Sequence, residues 1–372
     1  MDCQFKSLER RIVQDLSARL PIWLSALLFI GVTMVKCFIV GAGASAAHSA
    51  HCEGKNIPYN SNFINMLYKL NPLLYQDLRE ILHIDHAILV SYTLEHFSDE
   101  VRKLPASLRT SAQTILYQAI YDLLCLRSKS KDVDIIKYLA GKDVTYSASG
   151  GMYVQCPSPL YEQLFYGLKS EDFFISLNYD LILDKCVMKR RFLDAGSKYV
   201  DGAIITVDYG FSSSYASTSV DLRLIQDNIL TIYKPHGSFN WIKGAHGQIE
   251  VRPGAKDSFQ LGKDGDCEVV AVLPIDKTKV FPSNVIWDAA KKRVKEADEL
   301  IVLGCSLQST DLDLMELISI WKAAGHKNVK VVCNSDSNKK YFEELFDGLN
   351  LRIHTGGFDK ISISHFILEE KQ

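Results

Sequence analysis

The chain has 372 residues, a formal net charge of −2 and 47% hydrophobic residues, an ordinary globular composition sized for roughly two domains or for one with a large insertion. No basic surplus is present, so nucleic-acid binding by bulk electrostatics is not indicated. Nine cysteines, an odd number, are scattered with no zinc-ribbon spacing, which reads as a reducing, cytoplasmic compartment.

The first element in the chain is uncharged, Leu20 to Val35, with Arg10, Arg11 and Arg19 ahead of it. It has the look of a signal-peptide core or short membrane anchor, yet it falls short of the roughly 18 to 20 residues a bilayer requires. A start at Met34, or a packed N-terminal helix, explains it better, and a membrane association is not expected. Next, Val35 to Val40 is an apolar run that ends in Gly41-Ala42-Gly43-Ala44-Ser45-Ala46. This pattern predicts a buried parallel strand and a loop whose backbone comes close to a ligand, with N–H groups suited to a phosphate. Within the polar stretch that follows, His48, His51 and Cys52 lie near one another but lack a fourth ligand, so no metal is expected.

From about Phe63 to Leu139 the periodicity is helical: Phe63, Leu67 and Leu70, then Ile88, Tyr92 and Phe97, then Ile115, Leu116, Ala119, Ile120, Leu123 and Leu124. After a Ser/Gly/Pro-rich loop at Tyr146 to Pro157 and a short helix from Pro159 to Leu168, the strand Phe173 to Leu177 runs into Asn178-Tyr179-Asp180. Lys198 to Ser219 is polar and poorly periodic. The strand Leu230 to Tyr233 delivers Lys234-Pro235-His236-Gly237-Ser238, and hairpins or loops at Gly244 to Asp266 lead to a strand at Val269 to Leu273. The last hundred residues alternate clearly. Ser283 caps a helix through Ala297, the strand Leu300 to Leu303 breaks at Gly304, a helix begins near Asp311, the strand Val329 to Cys333 precedes Asn334, and a helix near Asn338 to Phe346 leads to the strand Leu351 to Ile353.

Strands alternating with helices predict an α/β fold, a Rossmann-like parallel sheet with helices on both faces, here with a helical insertion. Ligands of such sheets sit at the carboxyl ends of the strands. Polar or glycine residues stand at four of those ends: Gly41–Ser45, Asn178–Asp180, Gly304–Asp311 and Asn334. A dehydrogenase is disfavoured because no acidic residue closes a second strand about twenty residues on. A Walker loop is excluded by the absence of Gly-Lys-Ser/Thr.

Gly41-Ala42-Gly43-Ala44-Ser45, Leu177-Asn178-Tyr179-Asp180, Lys234-Pro235-His236-Gly237-Ser238 and Gly304-Cys305-Ser306-Leu307 resemble, in order, the signature blocks of sirtuin-like domains, and Asn334 fits a fifth point near the adenosine end. The paired Cys-x-x-Cys zinc module and the proline-phenylalanine-arginine segment of the deacylases are missing. The Asn-Tyr-Asp form, the Lys-x-His-Gly-Ser form and the trailing Asp311 are more similar to the bacterial antiphage branch.

That resemblance implies an NAD+ hydrolase that cleaves the nicotinamide–ribose bond during abortive infection. It implies a homo-oligomer and a regulatory partner such as a helicase-like ATPase, an Argonaute or another phage sensor. NAD+ is the substrate, and Gly41, Ala42, Gly43, Ala44 and Ser45 are implied to hold its diphosphate. Gly304, Ser306, Leu307 and Asn334 are placed near the adenosine end. Asn178 and Asp180 would support the cationic ribose and orient water, and His236 would act as base. Asp311 is either part of the site or a helix cap. The expected layout is an N-terminal extension (1–34), a catalytic domain (35–360) and a C-terminal tail (361–372), with a helical insertion at 61–140 and loop-rich insertions at 198–228 and 244–268. The alternatives left open are an NAD or ADP-ribose sensor without turnover, and an NAD-dependent deacylase.

Overall fold

The computed structural model describes residues 34–51, 57, 58, 60–120, 122, 123, 160, 161, 164, 168, 169, 171–184, 206–210, 214, 215, 229–243, 249–251, 268–271, 282–309, 311–358, 361, 366 and 367. The apolar run before residue 34, Cys52, the helical periodicity beyond residue 123 and most of both loop-rich insertions lie outside these residues. The chain divides into two compact units, Met1–Val35 and Lys36–Gln372, and the described architecture belongs to the second.

Strand β1 (Lys36–Val40) leads into the short helix α1 (Ala42–Ala47). Helices α2 (Phe63–Leu70), α3 (Pro72–Leu82), α4 (His86–Leu89), α5 (Leu94–Lys103) and α6 (Ala106–Ile120) follow. Then come β2 (Phe173–Ser176), β3 (Thr206–Asp208), β4 (Ser214–Tyr215), β5 (Ile229–Tyr233), β6 (Gly237–Lys243), β7 (Ile249–Val251) and β8 (Glu268–Ala271). The last part runs α7 (Ser283–Arg293), β9 (Glu299–Leu303), α8 (Leu312–Ala323), β10 (Asn328–Val332), α9 (Lys339–Leu345) and β11 (Asn350–His354).

Seven of these strands form one sheet in the order β11-β10-β9-β1-β2-β5-β3, and every described pairing in it is parallel. The apolar runs are continuous, not alternating, because both faces are covered. Cys37, Phe38, Ile39 and Val40 of β1 and Leu300, Ile301, Val302 and Leu303 of β9 are fully buried. Phe38 stacks on Phe174 of β2 at 4.8 Å between ring centres. Lys330, buried in β10, is neutralised by Glu299 at 2.8 Å and donates to the Ile367 carbonyl. Helix α7 packs on α8 and β5.

The structure departs from the sequence reading at several points. Thr206–Asp208 is a strand of the main sheet, paired with β5; three residues at an edge carry too little periodicity to be seen. A second sheet, β4-β7-β6-β8, forms where only hairpins, loops and one strand were expected. Ser283 does not cap α7: the residue before the helix is Pro282 and no side chain caps it, while the Ser283 hydroxyl donates to the Pro235 carbonyl. Leu70 and Ile88 are 48% and 52% exposed. One ends its helix and the other sits in a single turn, where the buried stripe is already supplied by neighbours.

The helices between β1 and β2 have their own core, including Phe63, Leu67, Phe97, Leu116, Ala119 and Ile120, and Tyr179 from the end of β2 is buried in it. The register decides the rest. Val40 lies opposite Ser176 on one side and Leu303 on the other, Leu303 lies opposite Val332, and Ile175 lies opposite Tyr233. β1, β2, β9 and β10 therefore end level and β5 ends one residue short, so the residues that follow these strands stand along one rim.

Two glycines separate packing from backbone strain. Both Gly304 (φ +58°) and Gly325 (φ +89°) are left-handed, but a Cβ on Gly304 would lie 2.1 Å from the Ala44 nitrogen, whereas one on Gly325 would meet nothing within 4 Å. Gly325→Ala is expected to cost about 1–2 kcal/mol of strain, and Gly304→Ala roughly 1–3 kcal/mol more for the collision. Urea midpoints of the two variants check this, and equal losses would refute the close packing.

Candidate functional site

Along this rim lies a cleft of about 720 Å³, lined by the ends of β1, β2, β9 and β10, by His236 beyond β5, and by the helical segment through Phe63, Leu94, Asp99 and Arg102. The volume is in the range of small-molecule and cofactor sites. Gly41, Ala42, Gly43, Ser45, Asn178, Asp180, His236, Gly304, Ser306, Leu307, Asp311 and Asn334 all line it. Ala44 does not; it is fully buried behind the loop.

The glycine loop is locked to the β9 loop. Gly41 N donates to Leu303 O at 3.0 Å, Gly43 N to Gly304 O at 2.8 Å, and Ala44 N to Gly41 O at 3.0 Å. A Cβ on Gly41 or Gly43 would come within 2.9 Å of Gly304 or Cys305, so these glycines permit two backbones to touch. The expected cradle of loop amides is therefore modified: three of its N–H groups are already engaged within the protein.

The Asn-Tyr-Asp motif divides between two surroundings. The Asn178 amide nitrogen donates to Gly41 O at 3.0 Å and to Ser45 Oγ at 2.8 Å. Because a carbonyl only accepts, Gly41 O fixes the orientation of this amide and leaves Oδ1 as its other polar atom. Ser45 Oγ donates in turn to Asp180 Oδ2 at 2.7 Å, and Ile182 N donates to Asp180 Oδ1 at 3.0 Å. Burial pushes the Asp180 carboxyl above its ordinary value of 3.8; Lys234 and the bonds from Ser45 and Ile182 pull against the rise, and Asp184 adds to it. Lys234, fully buried, donates to Asp180 O at 2.7 Å and pairs with Asp184 at 3.0 Å. Tyr209 completes Asp184 with a bond of 2.6 Å.

His236 sits in a tight turn. Gly237 N donates to Lys234 O at 3.0 Å, with Pro235 second and Gly237 fourth, as type I turns favour. Leu177 O lies 3.1 Å from His236 Nδ1. A carbonyl cannot donate, so Nδ1 carries the proton and Nε2 of the neutral ring is the basic atom. The ring is 6.2 Å from Tyr179 and 6.2 Å from Trp287 between centres, and the Ser283 bond to Pro235 braces the turn. Asp311 does two things at once. One oxygen caps α8 by accepting from Leu314 N at 3.4 Å, and the other lies 3.9 Å from His236 Nε2.

At the β9 end, Leu307 adopts φ +48°, a left-handed conformation uncommon for a branched side chain, with its carbonyl held by the Tyr341 hydroxyl. His48 is fully buried, while Cys52, its expected neighbour, lies outside the described residues. Among the described residues, no group of three or more His, Cys, Asp or Glu side chains is placed to hold a metal ion, and no helix is long and apolar enough to cross a membrane. Sequence reasoning missed Asp99, Arg102, Asp184, Trp287 and the true role of Ser283. Asp184 stands just past the Asn-Tyr-Asp block; the others lie far from the signature blocks, on elements whose charged or apolar faces look ordinary in the sequence.

No protein-family model matches the chain, and no curated protein is found similar to it. Among solved structures it is similar to a Sir2 homologue mutant in complex with 2′-O-acetyl ADP-ribose (TM-score 0.45, 14% identity, covering 92% of this chain and 93% of that one). It is also similar to a Sir2 homologue–NAD complex (TM-score 0.42, 13% identity, 88% and 85%) and to a mutant Sir2 homologue–ADP-ribose complex (TM-score 0.39, 14% identity, 92% and 94%).

Two measurements check the electrostatics of the site. Lys234→Met leaves Asp184 as an uncompensated buried charge, and a loss of about 3–5 kcal/mol is expected from denaturant unfolding; a loss below about 1 kcal/mol would contradict the pairing. Asp180 holds its proton more tightly when folded than when unfolded. Stability therefore falls as pH rises from 3.8 through the raised value, and the cost is complete above it. Asp180→Asn is expected to flatten the melting temperature against pH over that window, and an unchanged profile would refute the shift.

Proposed function

We propose that the chain is an NAD+ hydrolase that cleaves the nicotinamide–ribose bond to give nicotinamide and ADP-ribose, in antiviral defence by NAD depletion. The observation that carries this reading is the tautomer of His236 set by Leu177 O, with the residue lining the cleft and its buried Nε2 facing Asp311 at 3.9 Å. The defence role rests on the resemblance of the four sequence blocks to the antiphage branch.

The donor set fits such a dinucleotide: a cleft of about 720 Å³, polar side chains Ser306 and Asn334 at the β9 and β10 ends, and an amide and a base at the β2 and β5 ends. Bound NAD+ supplies a pyridinium that leaves as neutral nicotinamide, so no general acid has to protonate it. His236 Nε2 accepts a proton from water as the water oxygen bonds to the ribose carbon and the carbon–nitrogen bond breaks. Asp311, 3.9 Å away, steadies the imidazolium so formed. Asn178 Oδ1 accepts from that water or from a ribose hydroxyl. Both Asp180 oxygens are engaged by Ser45 and Ile182, so we assign it as a positioning residue that acts through Ser45 and Asn178, not as a direct contact to the sugar.

His236→Ala is expected to lower NAD+ turnover by about a hundred- to ten-thousand-fold while ADP-ribose affinity stays within a few-fold of the original. The assay follows nicotinamide release by the full chain, expressed with its genomic neighbours so that a trigger is present. An NAD pool that stays intact under triggering conditions, with NAD bound to the purified protein, would identify a sensor and overturn the hydrolase.

A further inference from the structure

We propose that Arg102, in the last turn of α5, binds the diphosphate of the substrate, so that the helical segment and not the glycine loop supplies the positive charge of the cleft. The proposal rests on the NAD reading above. Among the described residues that line the cleft, Arg102 is the one lysine or arginine, and it shares the lining with the carboxylates of Asp99, Asp180 and Asp311. A diphosphate brings two further negative charges into this space. The loop has little to offset them: Gly41, Gly43 and Ala44 already donate their N–H groups within the protein, and α1, six residues long, adds only a weak dipole.

Arg102 has suitable chemistry and is suitably held. Its guanidinium is a planar fork that matches phosphate oxygens two at a time. Asp99, one turn earlier on the same helix, lies 3.5 Å from it, and the two side chains are 45% and 56% exposed. An exposed pair of this kind contributes about 0–1 kcal/mol, so Asp99 is itself a small obstacle to a phosphate. The adjacent Lys103 is different. It pairs with Glu100 at 2.7 Å, is 68% exposed and does not line the cleft.

Calorimetric titration of the full chain with ADP-ribose tests this without needing turnover. Arg102→Ala is expected to weaken binding by about 10- to 100-fold, the range of a hydrogen bond to a charged group, and to make affinity less sensitive to added salt. Arg102→Lys should recover part of the affinity, Lys103→Ala should leave it unchanged, and the melting temperature without ligand should be the same in all three. Arg102→Ala binding with wild-type affinity and salt dependence overturns the proposal alone. A loss that comes with a lowered melting temperature and an unaltered salt dependence overturns it as mere helix support. Wild-type protein that does not bind ADP-ribose overturns the NAD reading, and this inference with it.

Discussion

The site depends on one contact between two backbones. β1 and β9 are neighbours in the sheet, and the loops that leave them touch through Gly43 N and Gly304 O, 2.8 Å apart, with no room for a side chain on either partner. The chain continues to β2 on one side of β1 and reaches β9 on the other, which makes this the crossing point where open parallel sheets hold ligands. Displacement of either loop moves Ser45, and with it Asn178 and Asp180, because all three are bonded in series. The glycines here serve protein-to-protein packing first.

The level strand ends turn that contact into a site. Apart from Ser45 and Asp311, which lie farther along, each functional group on the sheet side stands one to four residues beyond a buried strand, so its backbone position is settled by folding and little ordering remains for binding. The Asn-Tyr-Asp segment shows how the two walls of the cleft are joined. Asn178 and Asp180 turn to Ser45, and Tyr179 between them turns into the helical core. A run of three residues thus ties the rigid sheet to the helices that carry Arg102.

What the sequence displayed follows from these roles. β1 and β9 were legible because strands buried on both faces are continuous apolar runs, β10 because its valines flank a single Lys330, and Asn178 and His236 because polar residues directly beyond such runs are conspicuous. Thr206–Asp208 was hidden by its brevity, since a three-residue edge strand is held by backbone pairing and not by a pattern. Arg102 was hidden for another reason. In Leu94–Lys103 the charges Asp99, Glu100, Arg102 and Lys103 look like one solvated face, and only the placement of α5 separates those that line the cleft from those that do not. Lys234 and Asp184 are 50 positions apart in sequence, and nothing local announces their pairing. That the glycine loop suits a phosphate was an expectation from its composition, but which of its amides are engaged is a property of the β9 loop opposite.

The Ser45 hydroxyl has a single proton, and that proton is directed at Asp180. Its oxygen therefore meets the Asn178 amide with lone pairs only, and the chain of bonds has one direction, from amide to hydroxyl to carboxylate. Each bond polarises the next. Accepting the serine proton, the buried carboxylate pushes electron density onto the serine oxygen and strengthens it as an acceptor, and this in turn makes the far end of the amide more negative. Asp180 thereby exerts its charge on the cleft through Asn178 Oδ1, as a current is carried by a lead, while its own oxygens stay bonded inside the protein.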